Sequence, residues 1–564
     1  MRDDHVRLND YEYHLYEEAR SGRLSRREVL RRAVTMGVAV PVIGVLATAC
    51  GSSGSSGSTG GGPGGSGASG PSGPPKKGGK ARFGTSVPTE APDPVTMYDE
   101  GSIQAIQIAS EYLCFPNPDN TLSPRLATSW KAVSPSEWEF TLRQGVTFHN
   151  GKTLTADDVV ATVDLLTDAA NGSSFLSQAK GILDPGQTEK TGDYTVRFHL
   201  SQPFVDFPYL MSAYNYNASI LPKGYKIGTF LKEPQGTGAY MVSEYVPNQS
   251  VTYKANPHYW GSGLPYLDGI TLTFYQSDQS LLLATQSSEL DVVAYAPYGA
   301  AQTLGAGAGS GSLRLMPAKS SAFDTLQMRT DMAPFDDVNK RLALACSLDR
   351  PGLVKNVLDG YGVVANDHPF GSMFSVSSEV AGKVAQRKQD YTLAKQYLAK
   401  AGVPRGFACT LTTQNYEDIP SYATAIKQQA ATAGIDVNIQ QETQTQFYGS
   451  GSNEPWLTVP FGITNWAPRG APSQFILTAF QSNGIWNSAH WKNSQYTSLF
   501  GQLNGTLDEQ TRASIAVQMA KIQNAEVPDI IAYWLTQLRV EGTNVGGLAA
   551  GPAEYPDVRA MWLA

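Results

Sequence analysis

Alternating apolar and polar positions predict a strand, a turn and a helix near residue 150. Residues 138–142 place apolar side chains on one face and polar side chains on the other, which is the period of a half-buried strand. Asn150-Gly151 is a strong turn signal, and Thr155 with Asp158 is typical of a capped helix start with an acid three residues later. We therefore expect a strand and a helix joined by a tight turn here.

A strand, helix, strand order recurs in the second half of the chain. Residues 407–413 are typical of a strand, residues 422–433 of a helix that ends at Gly434, and residues 435–439 of another strand. Short connections of this kind favour a crossover that makes the two strands parallel. With a further helix predicted over residues 390–401, the pattern predicts an α/β fold.

The first 49 residues have the organisation of a bacterial export signal. Arg26-Arg27, within Ser25–Arg31, resembles the twin-arginine motif, and residues 33–49 form the moderately apolar stretch that follows it. That stretch contains a Pro and two Gly and is short for a permanent membrane span, although a short anchor helix is the alternative. We therefore interpret residues 1–49 as a signal peptide for the twin-arginine route.

Small residues lead directly into Cys50, as in the lipobox of bacterial lipoproteins. After cleavage, Cys50 would carry acyl chains that hold a protein at a membrane surface without spanning it. Residues 51–75 consist almost only of Gly, Ser and Pro, a composition that cannot bury a core. We expect residues 50–80 to be a lipidated Cys and a flexible linker on the outer side of the cell membrane.

Composition excludes nucleic acid as a partner and a disulfide scaffold as the fold class. The 564 residues carry 43 Lys and Arg against 50 Asp and Glu, so no basic excess is available to neutralise a phosphate backbone. Charged residues are only 16% and aromatic residues 10%, a balance that favours a secreted protein covering a ligand with flat rings. With Cys50 assigned to lipid, we expect Cys114, Cys346 and Cys409 to be buried thiols with at most one disulfide.

Catalytic and metal-binding patterns are absent from the sequence. Neither G-x-S-x-G nor H-E-x-x-H occurs, and the His residues after the linker are dispersed rather than paired at metal-ligand spacing. We therefore predict that the chain is not an enzyme and needs neither a cofactor nor a metal.

Several motifs together resemble one known family. The most specific is the stretch from Trp138 to Val159, and others follow in the family's order at Gly236–Tyr240, Asn256–Trp260, Pro334–Val338 and Leu348–Arg350. On these residues the chain is similar to the family 5 extracellular solute-binding proteins of ABC importers, which include dipeptide-, oligopeptide- and nickel-binding members. The resemblance implies an α/β, two-lobed periplasmic-binding-protein-like fold of type II with an extra inserted domain.

The resemblance also implies a division of the chain and a partner. Lobe I would be assembled from residues 81–126, 232–326 and 525–564, the inserted domain from residues 127–231, and lobe II from residues 327–524. Closure of the lobes around a small molecule or peptide would present that ligand to an ABC permease in the membrane. We expect such a receptor to act as a monomer.

One position differs from the peptide-binding members in a way that bears on the ligand. In those relatives a late Trp-x-x-Asp stretch supplies a carboxylate for the ligand's free amino group, whereas here Asn465-Trp466 is followed by Arg469 at the Asp position. A guanidinium repels an ammonium and pairs with a carboxylate or a phosphate. We hypothesise an anionic, sugar-like or chelate ligand; the alternative is that Arg469 points to solvent or into an ion pair while another acid binds the amine.

Aromatic side chains are the other candidates for ligand contact. Trp466 is the first choice, with Trp534 and Tyr98 as further candidates, and core packing is the alternative for each. The sequence as a whole predicts a lipid-anchored extracytoplasmic substrate-binding protein of an ABC transporter. A secreted hydrolase and a receptor that reports ligand to a signalling partner are the alternatives.

Overall fold

The computed structural model describes residues 70–298, 312–449, 454–549 and 556–564. The predicted signal peptide, Cys50 and most of the predicted linker lie outside these ranges. No helix within the described ranges is both long and apolar enough to cross a membrane.

Nineteen strands are present in the described residues. In chain order they are β1 (Lys80–Ser86), β2 (Cys114–Pro116), β3 (Leu122–Pro124), β4 (Ala127–Ser134), β5 (Glu137–Leu142), β6 (Thr188–Gly192), β7 (Thr195–His199), β8 (Tyr240–Val246), β9 (Ser250–Ala255), β10 (Gly269–Tyr275), β11 (Val292–Val293), β12 (Leu313–Met328), β13 (Gly362–Val364), β14 (Phe407–Gln414), β15 (Ile435–Glu442), β16 (Phe461–Trp466), β17 (Asp529–Gly542), β18 (Val545–Gly546) and β19 (Trp562–Leu563).

Fifteen α-helices accompany these strands in the described part of the chain. They are α1 (Glu100–Gln107), α2 (Ala156–Thr167), α3 (Leu176–Ala179), α4 (Phe207–Leu210), α5 (Asp278–Gln286), α6 (Val338–Ser347), α7 (Arg350–Val357), α8 (Ser377–Lys383), α9 (Tyr391–Lys400), α10 (Ile419–Ala433), α11 (Gln444–Tyr448), α12 (Pro455–Thr458), α13 (Pro472–Phe475), α14 (Ser494–Gly505) and α15 (Glu509–Glu526). Ile476–Phe480 continues α13 as a π-helical turn.

One eleven-stranded sheet organises most of the chain. Its strand order is β15-β14-β16-β12-β17-β11-β1-β10-β9-β8, with β13 paired to β17. Parallel pairs lie toward both ends, β14 with β15 and β16, and β1 with β10 and β11. The predicted parallel α/β unit is therefore confirmed, because β14, α10 and β15 follow one another as the sequence pattern indicates.

Two long antiparallel strands, β12 and β17, run through both halves of this sheet. Their pairing is regular from Leu313 to Lys319, shifts register between Lys319 and Phe323, and shifts again before Thr325. Register shifts of this kind bend a strand and increase its twist. A bend in β12 is therefore expected at residues 319–325, which we call the bend.

A separate antiparallel sheet has the order β4-β5-β7-β6 and lies within residues 127–231. Its inner face packs Phe140 and Phe198 against Phe207, with ring centroids 4.9 to 6.1 Å apart. The predicted helix start is present as well, because the Asp158 carboxylate accepts a hydrogen bond from the Thr155 N–H at 2.8 Å. We call this sheet with α2 to α4 the insert unit, while the division of the whole chain into lobes stays a prediction.

The three described cysteines are free thiols. Cys114 and Cys346 are buried and Cys409 is half-buried, and none of the three forms a disulfide. Burial raises the pKa of all three thiols, that of Cys409 to about 12. They therefore behave as the inert core thiols that the sequence predicts.

Two aromatic residues of the Asn256–Trp260 motif hold a buried carboxyl group. The hydroxyl of Tyr259 and Nε1 of Trp260 each donate to Glu111 at 2.6 Å. Burial raises the pKa of Glu111 to about 7, and the two hydrogen bonds limit that rise. Between about pH 4.5 and pH 7, Glu111 is therefore protonated in the folded protein and ionised in the unfolded chain, where its pKa is about 4.5.

We expect Glu111→Gln to flatten the pH dependence of stability. A raised pKa in the folded state means that the stability contributed by Glu111 is complete below about pH 4.5 and falls as the pH rises to about 7. At roughly 1.4 kcal/mol per pKa unit, the loss is up to about 3 kcal/mol. Urea unfolding at pH 5 and pH 8 measures it: the free energy of unfolding should fall more in the wild type than in the variant. Equal falls would contradict the assignment.

Candidate functional site

Two of the predicted site residues lie at the end of β16, an inner strand of the large sheet. Asn465 and Trp466 are the last residues of β16 and lie opposite Asp324 and Phe323 of β12. Alternation along the strand directs their side chains to opposite faces of the sheet. The predicted stretch therefore starts beside the bend at residues 319–325.

Trp466 lies in an aromatic part of the core. Its side chain is 5% exposed, stacks on Phe323 with 6.3 Å between ring centroids, and lies 5.9 Å from the ring of Trp486. Its Nε1 donates to the Thr325 hydroxyl at 3.1 Å. The packing that the sequence analysis names as the alternative is thus present, and contact with a ligand stays a prediction.

Trp534 shares that core, whereas Tyr98 does not. Trp534 makes an edge contact with Phe323, 4.9 Å between centroids, so Phe323 joins the two tryptophans. Tyr98 is 58% exposed and accepts a hydrogen bond from the Thr89 hydroxyl at 3.3 Å. Two of the three predicted aromatics are therefore brought together in one core cluster.

Arg469 is fixed by its backbone to the bend of β12. Its N–H donates to the Ser321 hydroxyl at 2.8 Å, and that hydroxyl donates to the Arg469 carbonyl at 2.6 Å. The residue is only 7% exposed, and Nη1 lies 3.4 Å from the carbonyl oxygen of Pro468. Arg469 is thus buried rather than exposed to solvent, while contact with a ligand and the alternative ion pair both stay predictions.

A pair of buried carboxyl groups lies beside Asn465 and is absent from the sequence prediction. Asp324 accepts a hydrogen bond from Asn465 Nδ2 at 3.0 Å, and Asp418 accepts one from the Tyr533 hydroxyl at 2.8 Å. Burial raises the pKa of Asp324 well above its ordinary value, and the neighbouring Asp418 raises it further. Burial also raises the pKa of Asp418. Two such groups keep a proton between them instead of both ionising.

No local signal in the sequence marks this pair. Asp324 lies in the middle of a long strand and Asp418 in the turn before α10, so only the β12–β16 register and the β14–α10 connection bring them together. Within the described ranges, no group of three or more His, Cys, Asp or Glu side chains is placed to hold a metal ion.

A cavity of about 200 Å³ lies between the insert unit and the segment that follows Arg469. One wall consists of residues 119–121 with Asp206 and Tyr209 of the insert unit. The opposite wall consists of Phe370, residues 373–376, residues 470–473, Leu503 and Arg512. The chain thus encloses a space between its two sides, immediately after the residue that differs from the peptide-binding pattern.

Comparison with known proteins agrees with this architecture. The model of the bacterial extracellular solute-binding proteins, family 5 Middle, matches residues 121–488. The dipeptide-binding protein of Escherichia coli K12 is 25% identical over 492 residues, which cover 81% of this chain and 88% of the relative.

Two solved structures share the fold with a TM-score of 0.71 and 21% identity, each over 86% of this chain. One is DppA of Helicobacter pylori in complex with the peptide STSA, of which 98% is covered. The other is AgaA of A. tumefaciens R10 in complex with agropinic acid, of which 99% is covered. These are two-lobed binding proteins of mixed α/β fold, as the sequence predicts for this chain. The chain therefore belongs to family 5 of the bacterial extracellular solute-binding proteins.

Proposed function

We propose that this chain is a lipid-anchored extracytoplasmic substrate-binding protein of an ABC importer. It captures a peptide or a related small solute between its lobes, closes around it as a monomer and delivers it to the permease. It carries out no catalytic step. The observation that carries this proposal is the family match over residues 121–488, which spans both walls of the cavity except residues 119–120, Leu503 and Arg512.

The anchor and the export route rest on the sequence alone. Arg26-Arg27 and the small residues before Cys50 support twin-arginine export followed by lipidation at Cys50. The linker after Cys50 would let the folded part stand about 25–30 Å from the membrane, as expected for a flexible chain of this length.

Arg469 supports a ligand with an anionic group. A guanidinium at the position where the peptide-binding relatives have an Asp can pair with a carboxylate or a phosphate on the ligand and repels an ammonium. The structural relatives include a ligand that is not called a peptide, since AgaA was solved in complex with agropinic acid. Asp324 and Asp418 support a second candidate, a ligand whose amine binds an acid other than the Asp of the peptide-binding relatives.

Mass spectrometry of the solute that copurifies with the protein tests the proposed function directly. An intact small solute that rebinds to the stripped protein is the expected result. A solute that the protein converts chemically would favour the secreted hydrolase instead.

We expect peptide binding, where it occurs, to be indifferent to the peptide's N-terminal amine. Arg469 repels an ammonium at the position where relatives have Asp, so N-acetylation of a dipeptide or tripeptide should change its dissociation constant by less than about threefold. Calorimetric titration of matched free and acetylated peptides measures this.

A loss of more than about tenfold on acetylation would contradict the anionic-ligand hypothesis. In that case the same titration with Asp324→Asn locates the amine. If the dependence on the free amine disappears in the variant, the Asp324–Asp418 pair binds the amine; if it persists, a different acid does.

A further inference from the structure

Several polar contacts join the insert unit and its neighbouring loop to one short segment, residues 470–474, and to α15. Asp206 is their centre. Its carboxylate accepts hydrogen bonds from the Ser473 hydroxyl at 2.6 Å and from Arg512 Nη2 at 2.7 and 2.9 Å. The side chains of Asp206 and Arg512 are each only 14% exposed, so this ion pair is largely shielded from water.

Two amide side chains add to the contact. Asn120 Nδ2 donates to the carbonyl of Gly470 at 3.0 Å, and Gln474 Nε2 donates to Gln178 Oε1 at 3.2 Å. Asn120 is itself held in place, because the Tyr209 hydroxyl donates to its carbonyl at 2.9 Å. Asn120 is therefore held by a bond that does not involve residues 470–474.

Gly470 allows the two sides to approach. A Cβ on this residue would lie 2.1 Å from a ring carbon of Tyr209, a distance that no real contact allows. Glycine is thus required here for packing across the interface rather than for its backbone conformation.

The contacts around Asp206 join two predicted parts of the chain, the inserted domain (residues 127–231) and lobe II (residues 327–524). They surround a cavity instead of a filled core. Polar contacts across a cavity of this kind can break and form again as a cleft opens and closes.

We propose that Asp206, Ser473 and Arg512, with Asn120 and Gly470, form a latch that holds the cleft closed. This rests on the proposed function, because closure over a solute is the event that the latch would stabilise. The latch stabilises the closed form even without a solute, so the binding energy of the solute has to supply only the rest of the free energy of closure. Release of the solute requires the contacts of the latch to break first.

Single-molecule energy transfer on the protein as purified tests the latch without any ligand. Dyes on Thr191→Cys in the insert unit and Glu509→Cys at the start of α15, both exposed positions, report the distance across the cleft. Cys409→Ser removes the half-buried thiol, while Cys114 and Cys346 are buried. We expect Asp206→Ala to lower the ratio of closed to open molecules at least tenfold.

Gly470→Ala is the second variant, because it leaves every charged group in place and disturbs only the contact with Tyr209. It should lower the same ratio. Glu139→Ala is the matched control: it removes an ion pair with Arg197 of 2.6 Å that lies entirely within the four-stranded sheet. The control should keep the wild-type ratio.

An unchanged ratio in both latch variants, an equal fall in the control, or a wild type that is wholly open would overturn the latch. None of these outcomes depends on ligand identity. A result against the latch therefore does not affect the copurification test of the proposed function. A negative copurification result likewise does not affect the energy-transfer measurement.

Discussion

Replacing Asp367 by Ala is expected to lower the free energy of unfolding by about 3–5 kcal/mol. The carboxylate is fully buried between two guanidinium groups. Arg350 Nη2 donates to both of its oxygens at 2.8 Å, and Arg387 Nε donates to one of them at 2.8 Å. Without Asp367, two positive charges remain together in a largely buried site.

The substitution should also affect the cavity, because Asp367 begins the loop that forms part of the cavity wall. The backbone of Asp367 has a φ of +59°, and its carboxylate ties that strained turn to α7 through Arg350. Phe370 and Phe374 of the same loop line the cavity. Asp367→Ala should therefore also weaken solute binding, through misplacement of these rings.

Glu379→Ala is the matched control for the stability measurement. Glu379 pairs with Lys383 one turn along α8, and both side chains are about half exposed. An exposed pair of this spacing contributes about 0.5 kcal/mol or less. Urea unfolding of the three proteins compares them, and a loss below about 1 kcal/mol for Asp367→Ala would show that the charge cluster does not stabilise the fold.

Cys50→Ser is expected to move the protein from the membrane fraction to the soluble fraction. Each buried methylene contributes about 0.8 kcal/mol, and one acyl chain alone gives only marginal binding, so stable anchoring requires more than one chain on the same cysteine. Ser cannot form the thioether on which this lipidation depends. Cell fractionation followed by immunoblotting measures the distribution.

Ser52→Ala is the control, since it alters the linker and leaves Cys50 intact. Wild-type protein that stays in the membrane fraction at its full precursor mass would contradict the lipid anchor. That result would favour the short anchor helix formed by an uncleaved residue 33–49 segment.

Local signals predicted the elements of the fold well. Asp390 caps α9 by accepting from the Leu393 N–H at 2.8 Å, and Gly434 ends α10 in the left-handed conformation with a φ of +102°. Each of these depends only on residues a few positions away in the chain. The sequence therefore contained all the information that these elements need.

The candidate site was predicted less completely because its contacts are not local. Ser321 and Arg469 are far apart in the chain, and only the meeting of β12 with β16 brings the hydroxyl to the Arg469 backbone. The same pairing brings Asp324 beside Asn465. Strand register depends on packing over whole faces of a sheet, which no short motif contains.

The hydrogen bonds between Ser321 and Arg469 fix the backbone at residue 469 independently of its side chain. Both bonds use main-chain atoms of residue 469, so neither requires an arginine there. Gly470 and Ser473, which contact the insert unit, follow directly in the chain. A substitution at residue 469 can therefore change the side chain beside the cavity while the backbone that leads into the cavity wall keeps its attachment to β12.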